Sequence, residues 1–170
     1  MSKLPQRALE LARELGVSDE GAATAAQLRE RIDSAVSSRN LSDELAPRVL
    51  EYLCEELADA DRRHDEQLDA QTFGRIVALG ERWYKPSALA PAETIARYGD
   101  LLIDRFVRAL TEDTRDPWRR SREMRAAFRL LDRDAIPIVD ALLVHRPYPV
   151  ALAEERGWDN PQQIMVEVSE

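Results

Sequence analysis

Arginine supplies the densest chemistry-bearing pattern in this chain. Residues 115 to 133 hold seven arginines against three acids, a net of +4, in a protein whose formal charge is −8. Arg115, Arg119, Arg122, Arg129 and Arg133 recur at steps of three, four and seven residues, which on a helix gathers them on the side away from Met124, Ala127, Phe128 and Leu131. Guanidinium groups aligned in this way can contact successive phosphates of a nucleic acid. An ordinary solvated helix face would show the same stripe, with its charge offset by residues 41 to 70, where ten acids stand against three arginines.

Other reactive side chains form no comparable set. Asp61, His64 and Asp65 share a helical face at i, i+3 and i+4, with Cys54 upstream, which raises the question of a metal site. Such a site needs three or four ligands converging in a shielded place, whereas these are flanked by Arg62, Arg63 and Glu66. A solvated face with no metal is the expectation, with Cys54 acting as a small buried hydrophobe. His145 is read as a helix C-terminal residue facing the dipole rather than a general base, since no nucleophile or carboxylate stands at a recognisable spacing from it. Without a glycine-rich phosphate loop, a ligand set or an activated nucleophile, no enzyme activity and no cofactor are expected.

The elements that must position these residues read as helices. Leu4, Ala8, Leu11, Ala12 and Leu15 have helical spacing and stop at Gly16, and Ala25, Leu28, Ile32 and Val36 or Ala35 form a second stripe, so residues 1–38 read as a hairpin. Ser42 caps a third helix carrying Leu45, Val49, Tyr52 or Leu53, and Leu57, with Pro47 near its first turn. Asp69 is the expected cap of a fourth, with Phe73, Ile76 or Val77, Gly80, and Trp83 or Tyr84 inward and Gly74 and Gly80 allowing close packing. After KPSALAP, Pro91 opens a fifth helix with Ile95, Leu102, Phe106 and Ala109 on one face. Asp116-Pro117 precedes the arginine helix, and Asp134 opens a seventh with Pro137 in its first turn.

The first hairpin, through Leu11-Ala12-Arg13-Glu14-Leu15-Gly16-Val17 with Leu28 and Ile32, is similar to the helix-loop-helix of Rho N-terminal and SAP-type domains, which are nucleic-acid-associated modules. At the other end, Ala151-Leu152-Ala153-Glu154-Glu155-Arg156-Gly157-Trp158 followed by Asp159-Asn160-Pro161 resembles the second helix and turn of a sigma-factor region-4-like helix-turn-helix. That resemblance implies a final recognition helix presenting Asn160, Gln162 and Gln163, side chains able to contact adenine in a major groove. Residues 134–170 hold two arginines against seven acids. Phosphate contacts would therefore have to come from the arginine helix before them.

The expected architecture is all-α: a compact multi-helix bundle of eight or nine short helices ending in a helix-turn-helix-like unit. Residues 1–38 form the hairpin, 39–113 a central core and 114–170 the arginine helix with the C-terminal unit. Phe73, Val77, Trp83, Ile95, Leu102, Phe106, Phe128, Leu131, Leu142 and Trp158 are the core candidates. With 170 residues, 44% hydrophobic and 33% charged, the chain can bury a core without staples. Its one cysteine permits no internal disulfide, and no apolar run approaches a membrane span, so a cytoplasmic location without membrane partners is expected. The expected function is that of a non-enzymatic nucleic-acid-associated protein, a transcription regulator or a phage or gene-transfer DNA-packaging factor, with double-stranded DNA as partner. The alternative is an acidic adaptor or inhibitor that binds a basic protein, or self-associates, without touching DNA.

Overall fold

Local chemistry explains most helix boundaries. The computed structural model describes residues 4–22, 24–38, 41–112 and 117–145. Among them are seven α-helices, one 3-10 turn and no strand. The two further short helices expected after Pro149 and Pro161, and with them the helix-turn-helix-like unit, lie outside the described residues.

Helix α1 spans Gln6–Leu15 and closes on Gly16 at φ 70°, ψ 25°. Gly16 N–H bonds the Arg13 carbonyl at 3.1 Å and Val17 N–H the Ala12 carbonyl at 2.7 Å, the paired bonds that satisfy terminal carbonyls when glycine adopts the left-handed region. Helix α2, Ala25–Ser38, begins with a reciprocal cap: Gln27 N–H donates to Thr24 Oγ1 at 3.2 Å, and Thr24 N–H to Gln27 Oε1 at 3.3 Å. Helix α3, Leu45–Arg62, starts where expected, with Leu45 N–H donating to Ser42 Oγ at 3.1 Å.

Helix α4, Glu66–Glu81, begins three residues before its expected cap. The cap is Asp65, which accepts from Leu68 N–H at 3.1 Å after His64 turns the chain at φ 52°. Asp69 instead sits in the first turn, free to pair elsewhere. Helix α5, Ala92–Thr111, has Pro91 as its N-cap residue, and α6, Pro117–Leu131, has proline at its first position, where a missing N–H costs nothing. A 3-10 turn, Asp132–Ala135, then leads into α7, Ile136–His145.

By packing, the chain divides into Met1–Tyr52 and Leu53–Glu170, a line that falls inside α3 rather than at a loop. In the first unit, Ala8, Leu11, Leu15, Leu28, Ile32, Val49 and Leu50 are buried. There α1 packs on α2, and ion pairs Arg7–Glu51 and Arg48–Glu14 tie α1 to the start of α3. In the second unit, α4 packs most extensively on α6, α6 also on α5, and α5 on α7.

The core of the second unit is more aliphatic than the expected one. Of the candidates, Leu102, Phe106, Leu131 and Leu142 are buried, while Phe73, Val77, Trp83, Ile95 and Phe128 are half-buried. The interior is completed by Leu57, Ile76, Leu89, Leu110, Met124 and Ile138. Phe73 reaches Phe106 edge-on, with ring centroids 4.9 Å apart at 72°. Small residues let α4 and α6 approach closely at Gly80. A Cβ on Gly80 would meet Ala126 Cβ and Leu130 Cγ at 3.0 Å, so the close approach expected at Gly80 is present. Gly74 has nothing within 4 Å and supports no such approach.

Candidate nucleic-acid interface

Arg119, Arg122 and Arg129 border the seam between α6 and α4. Ala126, which falls between Arg122 and Arg129 on the same helical side, is fully buried against Gly80. The apolar arc of α6 is wider than the stripe of Met124, Ala127, Phe128 and Leu131 suggested, because α6 is covered by both α4 and α5.

Each described member of the expected stripe has a distinct situation. Arg119 Nε donates to Glu123 Oε1 at 3.1 Å while its side chain stays 69% exposed. Arg122 Nε stands 4.0 Å from Glu81 Oε1, and its side chain is 59% exposed. Arg129 Nη1 donates to the Glu81 carbonyl at 2.6 Å, satisfying a terminal carbonyl of α4, and its Cζ lies 5.0 Å from the centre of the Tyr84 ring. Arg133 is exposed in the 3-10 turn. Arg115, and the expected base-reading residues Asn160, Gln162 and Gln163, lie outside the described residues, as do the side chain of His145 and all of Trp158.

Two arginines that the spacing argument left out are structural. Arg120 is buried, and its Nη2 donates to the Glu112 carbonyl at 2.8 Å, closing the end of α5. Arg125 Nη2 donates to Ser121 Oγ at 3.1 Å.

Beside the seam runs a segment expected to continue the fourth helix through Tyr84 and to break only at KPSALAP; α4 instead ends at Glu81, and Tyr84 faces solvent. Residues 82–90 leave α4 with Trp83 N–H bonded to the Gly80 carbonyl at 3.2 Å. They then pass along the end of α6, where Leu89 N–H bonds the Arg129 carbonyl and Ala90 N–H the Leu130 carbonyl, each at 3.0 Å. Trp83 Nε1 donates to the Ser87 carbonyl at 2.8 Å, drawing the turn together. Tyr84 projects from it 81% exposed, between the exposed cationic residues Arg82 and Lys85. The signal was present as Arg82-Trp83-Tyr84-Lys85, but its placement against Arg129 depends on a contact 45 residues away in the chain, which periodicity does not carry.

A second constellation lies at the other end of α4. Arg105, 6% exposed on the inner face of α5, donates from Nε to Asp69 Oδ1 at 2.9 Å and from Nη2 to Asp69 Oδ2 at 2.7 Å and to Asp61 Oδ1 at 2.5 Å. These carboxylates hold the guanidinium protonated well beyond its usual range, the Asp69 hydrogen bonds contributing most. Asp61 and Asp69, together with Asp65, Glu66 and Glu112, line an open groove of about 550 Å³. Part of the acidic stretch is thus answered by an arginine of α5. Among the described residues no group of three or more His, Cys, Asp or Glu is placed to hold a metal ion; Asp61 is bonded to Arg105, and Cys54 is buried in α3.

Among the described residues no helix is long and apolar enough to cross a membrane. No protein-family model, curated protein or solved structure matches the chain.

Proposed function

We propose that this protein is a non-enzymatic, nucleic-acid-associated helical protein that contacts phosphates through the arginines of α6, in the manner of a transcription regulator or a phage or gene-transfer DNA-packaging factor. The observation that carries the reading is the α4–α6 seam. Arg119 and Arg122 keep most of their side chains in solvent, one turn apart on the same helix, within a chain of net charge −8. Local positive charge in an acidic chain restricts phosphate contact to that surface, because the remainder repels it.

The test is binding of labelled oligonucleotides, duplex and single-stranded, at about 50 and about 200 mM salt. Engagement of about four phosphates gives a loss of affinity on the order of 100-fold between the two. Arg122→Glu together with Arg133→Glu should remove binding while leaving the helical circular dichroism unchanged. Salt-insensitive binding, or none, ends this reading.

The acidic groove around Arg105 favours the second one, an adaptor or inhibitor that accepts a basic segment of a partner protein. Five carboxylates border the groove against the three arginines Arg105, Arg108 and Arg119, and Phe73 supplies an apolar wall. An arginine-rich peptide that binds wild type, but not the Glu66→Gln, Glu112→Gln variant, in the absence of any nucleic-acid binding would select this alternative.

A further inference from the structure

We propose that Tyr84 is a stacking platform for an unpaired nucleobase, and that the nucleic acid this surface takes is single-stranded. The inference rests on the nucleic-acid reading above and names the ligand class for it.

Three observations converge. First, the turn that carries Tyr84 is held at both ends and across its middle. Trp83 N–H is tied to the end of α4, Leu89 and Ala90 N–H to the last carbonyls of α6, and the Trp83 indole to the Ser87 carbonyl. An exposed ring on such a turn loses little further freedom when it binds, which is the condition for a preorganised contact. Second, one face of the ring is occupied by the Arg129 guanidinium, itself fixed by the Glu81 carbonyl at 2.6 Å, while the residue as a whole is 81% exposed. The ring therefore offers solvent a flat apolar face backed by a cation. Third, its surroundings are cationic: Arg82 and Lys85 adjoin it in sequence, both exposed, and Arg122 stands 4.0 Å from the carboxylate of Glu81, the residue whose carbonyl holds Arg129. A sugar-phosphate backbone lying along the seam would pass within reach of the platform.

These properties select single strands on physical grounds. In a duplex both faces of each base are covered by its neighbours, so a projecting ring finds nothing to stack on without opening the helix. An unpaired base presents its π-face to any aromatic side chain, whatever its sequence, and flanking arginines and lysines track the backbone. The cation behind the ring strengthens an attachment that is otherwise indifferent to base identity.

The experiment measures binding of short oligo(dT), oligo(rU) and a mixed duplex by fluorescence anisotropy, using the full chain and its Tyr84→Ala, Tyr84→Phe and Tyr84→Leu variants. Loss of one stacked base should weaken oligonucleotide binding by roughly 5- to 100-fold in Tyr84→Ala and Tyr84→Leu. Tyr84→Phe should bind like wild type, and duplex affinity should change less than about twofold in all three variants. The oligo(dT) and oligo(rU) arms tell DNA from RNA as the source of the strand. Equal weakening on duplex and single strand, or an unaffected Tyr84→Ala, overturns the platform while leaving phosphate contact by α6 standing. Absence of binding to every nucleic acid overturns both. Because Tyr84 is largely in solvent, all three variants should keep the wild-type melting temperature, which checks that loss of binding is not loss of fold.

Discussion

Gly80 of α4 and Ala126 of α6 meet with no room for another carbon: a Cβ on Gly80 would lie 3.0 Å from both the Cβ and the carbonyl oxygen of Ala126. One of those atoms is helix backbone, so it cannot rotate away. Gly80→Ala should therefore lose stability despite the better helix propensity of alanine. Overpacking costs about 1–3 kcal/mol and the propensity gain returns about 1. A net loss of roughly 1 kcal/mol in urea unfolding is expected. Gly74, in the same helix with nothing within 4 Å, supplies the control. Gly74→Ala should gain about 0.5–1 kcal/mol. If both changes stabilise, the two helices are not held at the distance described.

The clamp at Arg105 makes a ranking prediction. Asp69 is 19% exposed and accepts from two guanidinium nitrogens, whereas Asp61 and Asp104 are each 54% exposed. Removing the buried acceptor leaves a charge partly desolvated and underbonded, so Asp69→Asn should cost about 1–3 kcal/mol. Asp61→Asn and Asp104→Asn should each cost under about 1 kcal/mol, because water replaces an exposed partner. Chemical denaturation of the three variants gives the order directly.

What the sequence conveyed follows from the range of each signal. Signals within one turn were legible: Gly16 closing α1, Ser42 capping α3 and Pro117 opening α6 all act within a few residues. The α4 cap was misplaced because Asp65 and Asp69 are equally good caps by type, and only the later recruitment of Asp69 by Arg105 separates them. The full width of the buried arc of α6 was less legible. The stripe of Met124, Ala127, Phe128 and Leu131 omits Ala126 and Leu130, which α6 buries against Gly80 as firmly as it buries Met124. The Tyr84–Arg129 and Arg105–Asp69 relationships join residues 45 and 36 positions apart, and no local pattern encodes either.

Cys54 provides a reporter of opening. It is the only cysteine, has no exposed surface, and lies in α3 within the unit that also holds Gly80. A thiol reagent can reach it only after local or global unfolding, so modification under native conditions should be at least about 100-fold slower than in denaturant. Gly80→Ala should accelerate it and Gly74→Ala should slow it. A fast reaction in wild type would show that this part of α3 opens independently of the core.

Two carboxylates in the second unit should respond to pH with opposite signs. Burial pushes the Glu123 carboxyl above its usual range, and the bond from Arg119 with the nearby charge of Arg120 only partly offsets this. The folded protein therefore holds this proton more tightly than the unfolded chain. Its stabilising contribution is fully present below the ordinary glutamate value, near about 4.3, and is lost as pH rises through the raised one. Glu123→Gln should melt higher than wild type at neutral pH, and the two curves should converge toward about pH 4. Asp59 behaves in reverse. Burial pushes its carboxyl up, but hydrogen bonds from Arg63 and Arg62 outweigh that and leave it below its usual range. Its contribution is present above the unfolded value and disappears as pH falls through the folded one, so Asp59→Asn should melt slightly lower than wild type at neutral pH and match it in acid. Removing the arginine partner separates the causes. Arg119→Gln leaves the burial of Glu123 uncompensated, so it should lose stability at neutral pH and recover it on acidification. A pH-independent loss would instead assign Arg119 a packing role and detach it from Glu123.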